Sequence, residues 1–464
     1  MDKILKRINF QLIAGGLLLG FLASLFVCFG REDYLFLILF LLLYLFSFST
    51  GTKFFILSLV IFYPFYISNF GQFEDVFLFE ILGPALAFCF GLELLLKREE
   101  FFSKKASIFL VAIFIIILCV VVDFVLFPVF GMTFSGGGSE NKGLREYCYL
   151  LVGVMIFFCG FWFLKYKEFS VNKWLWVLMF FSLGLSLLIT WAYINKVSIT
   201  FLGGLYQYFI PEGQYYRIGG LAEVAILGIT ALLCLVYQKK MEAVSAFFLF
   251  AAFIFFVFIS GGRAVFFSLI LTFLIYVLLV NRKWFFYLVI FSLLFITFLL
   301  LLNPGSFLGI QKKRLFSTEK NFLFLNVYRY YTYVNFLKIF ENYPFTGKGI
   351  RDFPVLEAPP NEEVKQFVET QMRSGGHGAY MSMLAIFGIG GIFFLLLMLI
   401  GGFYYSYIVF RHSQFFDHKT LALFVFLSLV NTSIYFGLFS RGWDYFPFWF
   451  LTGMAAGLRA RETL

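Results

Sequence analysis

Apolar and polar residues fall into long blocks along this chain, with neither the 3.6-residue period of a surface helix nor the alternation of a half-buried strand. Apolar runs of roughly 17 to 25 residues, long enough to cross a ~30 Å hydrocarbon core as helices, are separated by short polar stretches. They occupy approximately 9–29, 34–50, 53–69, 75–96, 106–130, 147–165, 173–193, 219–237, 242–260, 264–281, 284–302, 378–404, 419–438 and 443–459. The pattern predicts an all-α, polytopic membrane protein of about fourteen transmembrane helices. The first run has a basic flank but no A-x-A-like cleavage site, so it is expected to be retained. No internal repeat or low-complexity linker interrupts the series, and residues 1–464 are expected to form a single membrane domain.

Lys and Arg test this reading independently, because they concentrate in cytoplasmic loops. With MDKILKR inside, the predicted inner loops are 97–105, 165–173, 237–241, 281–284, 411–419 and the tail RARETL. The alternation places both termini in the cytoplasm. It puts three larger polar segments on the opposite face: 131–146, 195–220 and the long loop 303–377. Losing either of the close helix pairs, 34–50 with 53–69 or 242–260 with 264–281, would invert every later loop. The downstream charge pattern therefore supports both pairs.

The long loop is expected to be partly helical. A helix is predicted from near Thr318, with Glu319 in its first turn, through a Tyr/Phe-rich run to about Glu341. It stops at NYPF, where Pro344, Gly347 and Gly349 forbid continuation. A second helix is predicted from Asn361 or Glu362 to Met372. Gly375, Gly376 and Gly378 then surround His377 just before the next apolar run. Both helices suit a membrane surface or the lid of a cavity in the bundle.

Composition agrees with the pattern. The chain is 61% hydrophobic and 13% charged, with a mean hydropathy of +0.90, against about a quarter charged residues in soluble domains. The net charge of +10 is accounted for largely by the loop Lys and Arg and does not call for nucleic acid. Six cysteines, Cys28, Cys89, Cys119, Cys148, Cys159 and Cys234, lie in or beside apolar runs without CxxC or zinc-type spacing. They read as small buried hydrophobes, and neither disulfides nor a metal site is implied. No close carboxylate pair appears on the outer side, which disfavours a metal-held nucleotide-sugar site. No G-x-x-x-x-G-K-[ST] loop is present, so the chain is not an ATP-driven pump by itself.

The candidate chemistry rests on charges at the outer membrane edge. Arg217 closes the second outer segment, Arg263 interrupts two apolar runs, Arg329 lies in the predicted loop helix, and His377 precedes a membrane run. An arginine between apolar runs, away from the cytoplasmic face, is expensive and asks for a partner. The planar guanidinium fork matches phosphate oxygens, so converging arginines fit a lipid-linked pyrophosphate. A histidine there can take a proton from an acceptor hydroxyl. Arg441, with Asp444 nearby, is a weaker candidate of the same kind.

Blander readings stand beside each of these. Arg263 is compatible with snorkelling to headgroups, Arg329 with ring stacking, and His377 with an ordinary surface histidine. His412 and His418 read as flanking residues of an inner loop. The intramembrane acids Glu80, Glu93, Asp123 and Glu223 keep a transporter reading open, with Glu223 a candidate partner for a site arginine.

The run YRYYTYVNFLKIFENYPFTGKGIRDF, followed by GGHGAYMSMLAIFGIGGIFFLLLML, resembles the signature region of the bacterial O-antigen ligase and O-antigen polymerase family. There, an arginine-bearing helix leads to a Pro/Gly turn, then to a histidine entry into the next membrane helix. RIGGLAEVAILG and ISGGRAVFFSLI resemble two earlier family segments, and the likeness covers roughly residues 215–400. Two departures are visible. Gly378 stands where the family commonly has Asn, and Glu223 to Ala225 replaces a frequent Pro-Asn.

The resemblance implies a metal-independent, inverting glycosyltransferase at the outer face of the bacterial inner membrane. Its donor would be a glycan on undecaprenyl diphosphate and its acceptor a glycan or glycolipid, with no cofactor. His377 matches the family's catalytic histidine, and Arg217, Arg263 and Arg329 match its pyrophosphate-binding arginines. Glu223 and Arg441 are secondary candidates. A chain-length regulator and a flippase are implied as partners, alongside membrane lipids. The helix number and long second outer segment favour a polymerase of O-antigen or related surface polysaccharide. A ligase acting on lipid A core is the alternative, and a flippase or secondary transporter is the alternative of another class. A non-catalytic scaffold remains if all four charged residues are dispensable.

Overall fold

The computed structural model describes residues 57–59, 61–63, 66–67, 76–77, 107–126, 144–163, 170–195, 208–209, 216–217, 220–260, 263–280, 297, 320–350, 353–373, 378–438 and 445–462. The predicted segments 9–29, 34–50 and 284–302 lie outside these residues, apart from a single helical residue at 297. The described chain is helical. In order come α1 (Ser107–Leu126), α2 (Leu144–Phe163), α3 (Val171–Asn195), α4 (Leu221–Tyr237), α5 (Ala243–Ser260) and α6 (Arg263–Val280). There follow α7 (Lys320–Asn342), α8 (Glu362–Arg373), α9 (Ala379–His412), α10 (Phe416–Leu438) and α11 (Phe446–Arg461).

Among the described residues four stretches are long and apolar enough to cross a membrane: Ser107–Leu126, Val171–Asn195, Ala379–His412 and Phe416–Gly437. The apolar stretches in α2, α4, α5 and α6 are shorter. The close pair expected at 242–260 and 264–281 is present as α5 and α6, separated by two residues. At one boundary the pattern misleads. Tyr66–Ile67 (β1) pairs antiparallel with Val76–Phe77 (β2), so the facing ends of the runs expected as helices at 53–69 and 75–96 are extended, and residues 78–96 lie outside the described residues. Pro64 accounts for the first, since it disfavours helix in the residue before it and lacks an N–H. A second two-residue pair, β3 (Tyr208–Phe209) with β4 (Tyr216–Arg217), lies in the segment preceding α4.

Close backbone approach through glycine holds several helices together. A Cβ on Gly453 would lie 2.0 Å from the Phe157 carbonyl oxygen, and one on Gly457 2.3 Å from that of Phe161. On the facing helix, a Cβ on Gly160 would lie 2.4 Å from the Phe450 oxygen. The glycines thus let α2 and α11 touch backbone to backbone, the small-xxx-small device of membrane helices. Trp449 is fully buried and tilts against Phe394 at 5.2 Å, which brings α9 onto the same pair.

Polar side chains add specific ties. The Asn431 Oδ1 on α10 accepts from Ser268 and, at 2.7 Å, from Thr272 of α6. The helical residues before Pro64 dock on α3, where the Tyr63 hydroxyl donates to the Leu178 carbonyl at 3.0 Å and Trp174 donates to Ser58 at 2.9 Å.

One end of the bundle gathers basic residues. Tyr237 stacks on Phe416 at 5.1 Å, and Glu462 Oε1 meets the His418 Nδ1 at 2.7 Å and the Ser413 hydroxyl at 2.5 Å. The end of α4, the α9–α10 connection and the end of α11 therefore lie together, bringing Lys239, Lys240, Arg411, Lys419, Arg459 and Arg461 to one side. Three of the loops assigned to a common face by charge are on a common face.

Candidate functional site

The opposite end is built around a break in α9. Gly388 has φ +61° and ψ −147°, outside helical values, and such a break strands backbone donors and acceptors that apolar surroundings must satisfy. The turn after α7 supplies them. Lys348 N–H donates to the Ala385 carbonyl at 2.8 Å and Gly349 N–H to that of Ile386 at 3.0 Å, while Ile389 N–H donates to the Pro344 carbonyl at 2.8 Å.

The fit depends on absent side chains. Gly347 and Gly349 have φ of +67° and +83°, a region where residues with a Cβ are strained. A Cβ on Gly347 would also lie 2.0 Å from the Ile386 oxygen. The turn expected at NYPFTGKG exists, and its destination is the interior of a helix.

Asp123 completes this arrangement from α1. It is 1% exposed, and its Oδ2 accepts from the Tyr147 hydroxyl at 2.5 Å and the Ile350 N–H at 3.3 Å. This intramembrane acid is thus tied to α2 and to the turn. Glu80 and Glu93 lie outside the described residues.

Helix α7 carries Arg329, which is partly buried, and one turn later Tyr333. The Tyr333 hydroxyl donates to the Gly437 carbonyl near the end of α10 at 3.0 Å. Gly378, with φ +104°, packs on the same tyrosine, where a Cβ would lie 3.2 Å from the ring. Tyr380 donates to the Ser433 carbonyl at 3.1 Å. The face of α7 bearing Arg329 and Tyr333, the start of α9 and the end of α10 therefore meet.

Asn335 fastens the chain between α7 and α8. Its amide donates to the Tyr331 and Glu357 carbonyls at 2.7 and 2.9 Å, and its oxygen accepts from the Leu356 and Glu357 N–H groups at 2.6 and 2.8 Å. Lys338 pairs with Glu357 at 2.5 Å. α8 buries Val364, Val368 and Met372 at helical spacing, and Asn361 accepts from the Val364 N–H at 3.4 Å as its cap.

His377 and Arg441 lie outside the described residues, and Arg217 and Arg263 are described in their backbone alone. Their chain neighbours locate them along the fold. His377 directly precedes Gly378, Arg441 follows Leu438 by three positions, Arg263 is the first residue of α6, and Arg217 ends β4 three residues before Gly220.

A small cleft of about 80 Å³ lies among α4, α6, α10 and the start of α11, lined by Glu223, Thr230, Ser268, Asn431, Tyr435 and Tyr445 among others. The Tyr435 and Tyr445 rings lie 5.3 Å apart. The cleft shows that the first turns of α4 and α6, the last turns of α10 and the first of α11 share one end of the bundle. The elements carrying the sequence candidates thus start or stop at that end.

Sequence reasoning missed Asn335, Tyr333, the Ser268–Thr272–Asn431 tie and the break at Gly388. The signal for the break was present in the spacing of Gly388, Gly390 and Gly391 within an apolar run. Asn335 carried no local signal, since its partners are twenty-odd residues away.

The family model described as O-antigen ligase matches residues 246–396, about a third of the chain. The match spans α5 to the middle of α9, including Arg263, Arg329, His377 and the break at Gly388. No curated protein matches the chain significantly.

Proposed function

We propose, from the match of residues 246–396 to the family model described as O-antigen ligase, a glycosyltransferase at the outer face of the bacterial inner membrane. It moves a glycan from undecaprenyl diphosphate to an acceptor sugar hydroxyl, in a protein of about fourteen transmembrane helices. The observation that carries this reading is the meeting of α7, bearing Arg329, with the start of α9, one residue after His377, inside the matched segment.

In this mechanism Arg217, Arg263 and Arg329 neutralise the diphosphate and stabilise its departure. His377 takes the proton from the acceptor hydroxyl as that oxygen attacks the anomeric carbon from the face opposite the leaving group, inverting the centre. The diphosphate leaves as an anion and requires neither metal nor cofactor. The protein mainly positions the reactants and supplies preorganised positive charge. Glu223 and Arg441 orient the arginines or the acceptor. The gathered basic loops support a cytoplasmic face at that end of the bundle, and with it a site that opens on the outer side.

Polymerisation of O-antigen or a related surface polysaccharide is the favoured activity, with a chain-length regulator and a flippase as partners. Transfer to lipid A core is the second reading, favoured by the description of the matching family. The test is purified protein incubated with its lipid-linked repeat unit as sole substrate, beside His377→Ala, with products resolved on a gel. A ladder lost in the variant supports a polymerase using His377. Product appearing only with lipid A core selects the ligase. No product under either condition overturns the transferase reading in favour of transport.

A further inference from the structure

Asp123 is the one described carboxylate inside an apolar helix that touches the turn leading from α7. Its oxygens face two elements. The Tyr147 hydroxyl comes from α2 at 2.5 Å and the Ile350 N–H from the turn at 3.3 Å, and a Cβ on Gly349 would lie 2.0 Å from Oδ1. That glycine is thus the space into which the carboxylate fits. The same residue donates to the Ile386 carbonyl, so Asp123, the turn and the break in α9 form one continuous chain of contacts.

We propose that Asp123 is a positioning residue of the transfer site, locking the Pro344–Ile350 turn into the break of α9. The inference rests on the transferase reading above. Arg329 lies on the helix that runs into this turn, fifteen positions before Pro344, and His377 lies eleven positions before Gly388. The turn is where these two elements are joined by backbone hydrogen bonds. A slip there shifts α7, and Arg329 with it, against the start of α9. Asp123 touches neither substrate nor reacting atoms and acts through that geometry.

The test compares full-length Asp123→Ala, Asp123→Asn and Tyr147→Phe with the unaltered protein, using the lipid-linked repeat unit as donor. Asp123→Ala is expected to lower kcat by about 100-fold while the donor KM stays within about threefold, as displacement of the reacting geometry by roughly an ångström does. Asp123→Asn retains an oxygen for Tyr147 and Ile350 and is expected to rescue most of the turnover. Hydrogen exchange across 344–350 is followed in parallel, with Ile350 losing protection in Asp123→Ala and keeping it in Asp123→Asn. Unchanged kcat in Asp123→Ala, a loss confined to KM, or unchanged Ile350 protection overturns the proposal. If Asp123→Ala does not fold, Tyr147→Phe decides, since wild-type turnover and exchange in that variant overturn the proposal as well. Should the unaltered protein make no product, the transferase reading fails by itself, while the exchange experiment still reports whether Asp123 holds the turn.

Discussion

The N–H of Ile389 donates to the carbonyl of Pro344 at 2.8 Å, joining a membrane helix just past its break to the turn that ends α7. The bond is returned in the other direction by Lys348 and Gly349, whose N–H groups donate to Ala385 and Ile386. Where an unbroken helix would satisfy itself, α9 and the turn satisfy each other.

Because that splice uses Gly388 at φ +61°, with a Cβ position 2.5 Å from the Pro344 oxygen, Gly388→Ala is expected to destabilise the protein by about 1–3 kcal/mol. Thermal unfolding in detergent, followed by tryptophan fluorescence, measures it. Gly184→Ala in α3 is the control, since its Cβ would meet nothing within 4 Å. There a gain of up to about 1 kcal/mol is expected from helix propensity.

Asn335→Ala removes four hydrogen bonds and leaves the N–H groups of Leu356 and Glu357 without their acceptor. A loss of about 1–3 kcal/mol is expected, with faster proteolytic cleavage around 353–358. Asn335→Asp keeps the acceptor but not the donors and should fall between the two. Equal cleavage of all three proteins would count against this role.

Gly453→Ala places a methyl group 2.0 Å from the Phe157 carbonyl oxygen and pushes α11 away from α2. Overpacking of this kind costs about 1–3 kcal/mol. A lowered midpoint in the same unfolding measurement is the expected result, with Gly457→Ala behaving alike.

Arg329→Ala is expected to reduce kcat by about 100-fold, the scale of removing one preorganised donor from a developing anion. Arg329→Lys should recover part of it, because a lysine keeps the charge but not the planar fork. Turnover of the lipid-linked donor is the measurement, and wild-type activity in Arg329→Ala would remove this residue from the mechanism.

Helix positions were legible from residue type alone because apolar blocks carry their own length scale. The boundaries expected at 173–193, 219–237 and 242–260 are found at Val171–Asn195, Leu221–Tyr237 and Ala243–Ser260. The stop at Pro344 and the start near Asn361 followed from backbone chemistry local to those residues. The continuation of α9 to His412 was missed because Arg411 and His412, which complement the helix C-terminus, read as loop.

What the sequence by itself determined is the membrane class, the placement of the described helices, the shared face of the basic loops and the family likeness of the segment around His377. Each depends on a local property: hydrophobic length, charge, or a motif read in order. The tertiary structure alone decided that the turn at Pro344 enters the break at Gly388, that Asp123 is a tie and that Tyr333 joins α7 to Gly437. These are hydrogen bonds and close approaches between residues tens to hundreds of positions apart. No periodicity records them, because a backbone group carries no sequence signal of which distant partner will satisfy it.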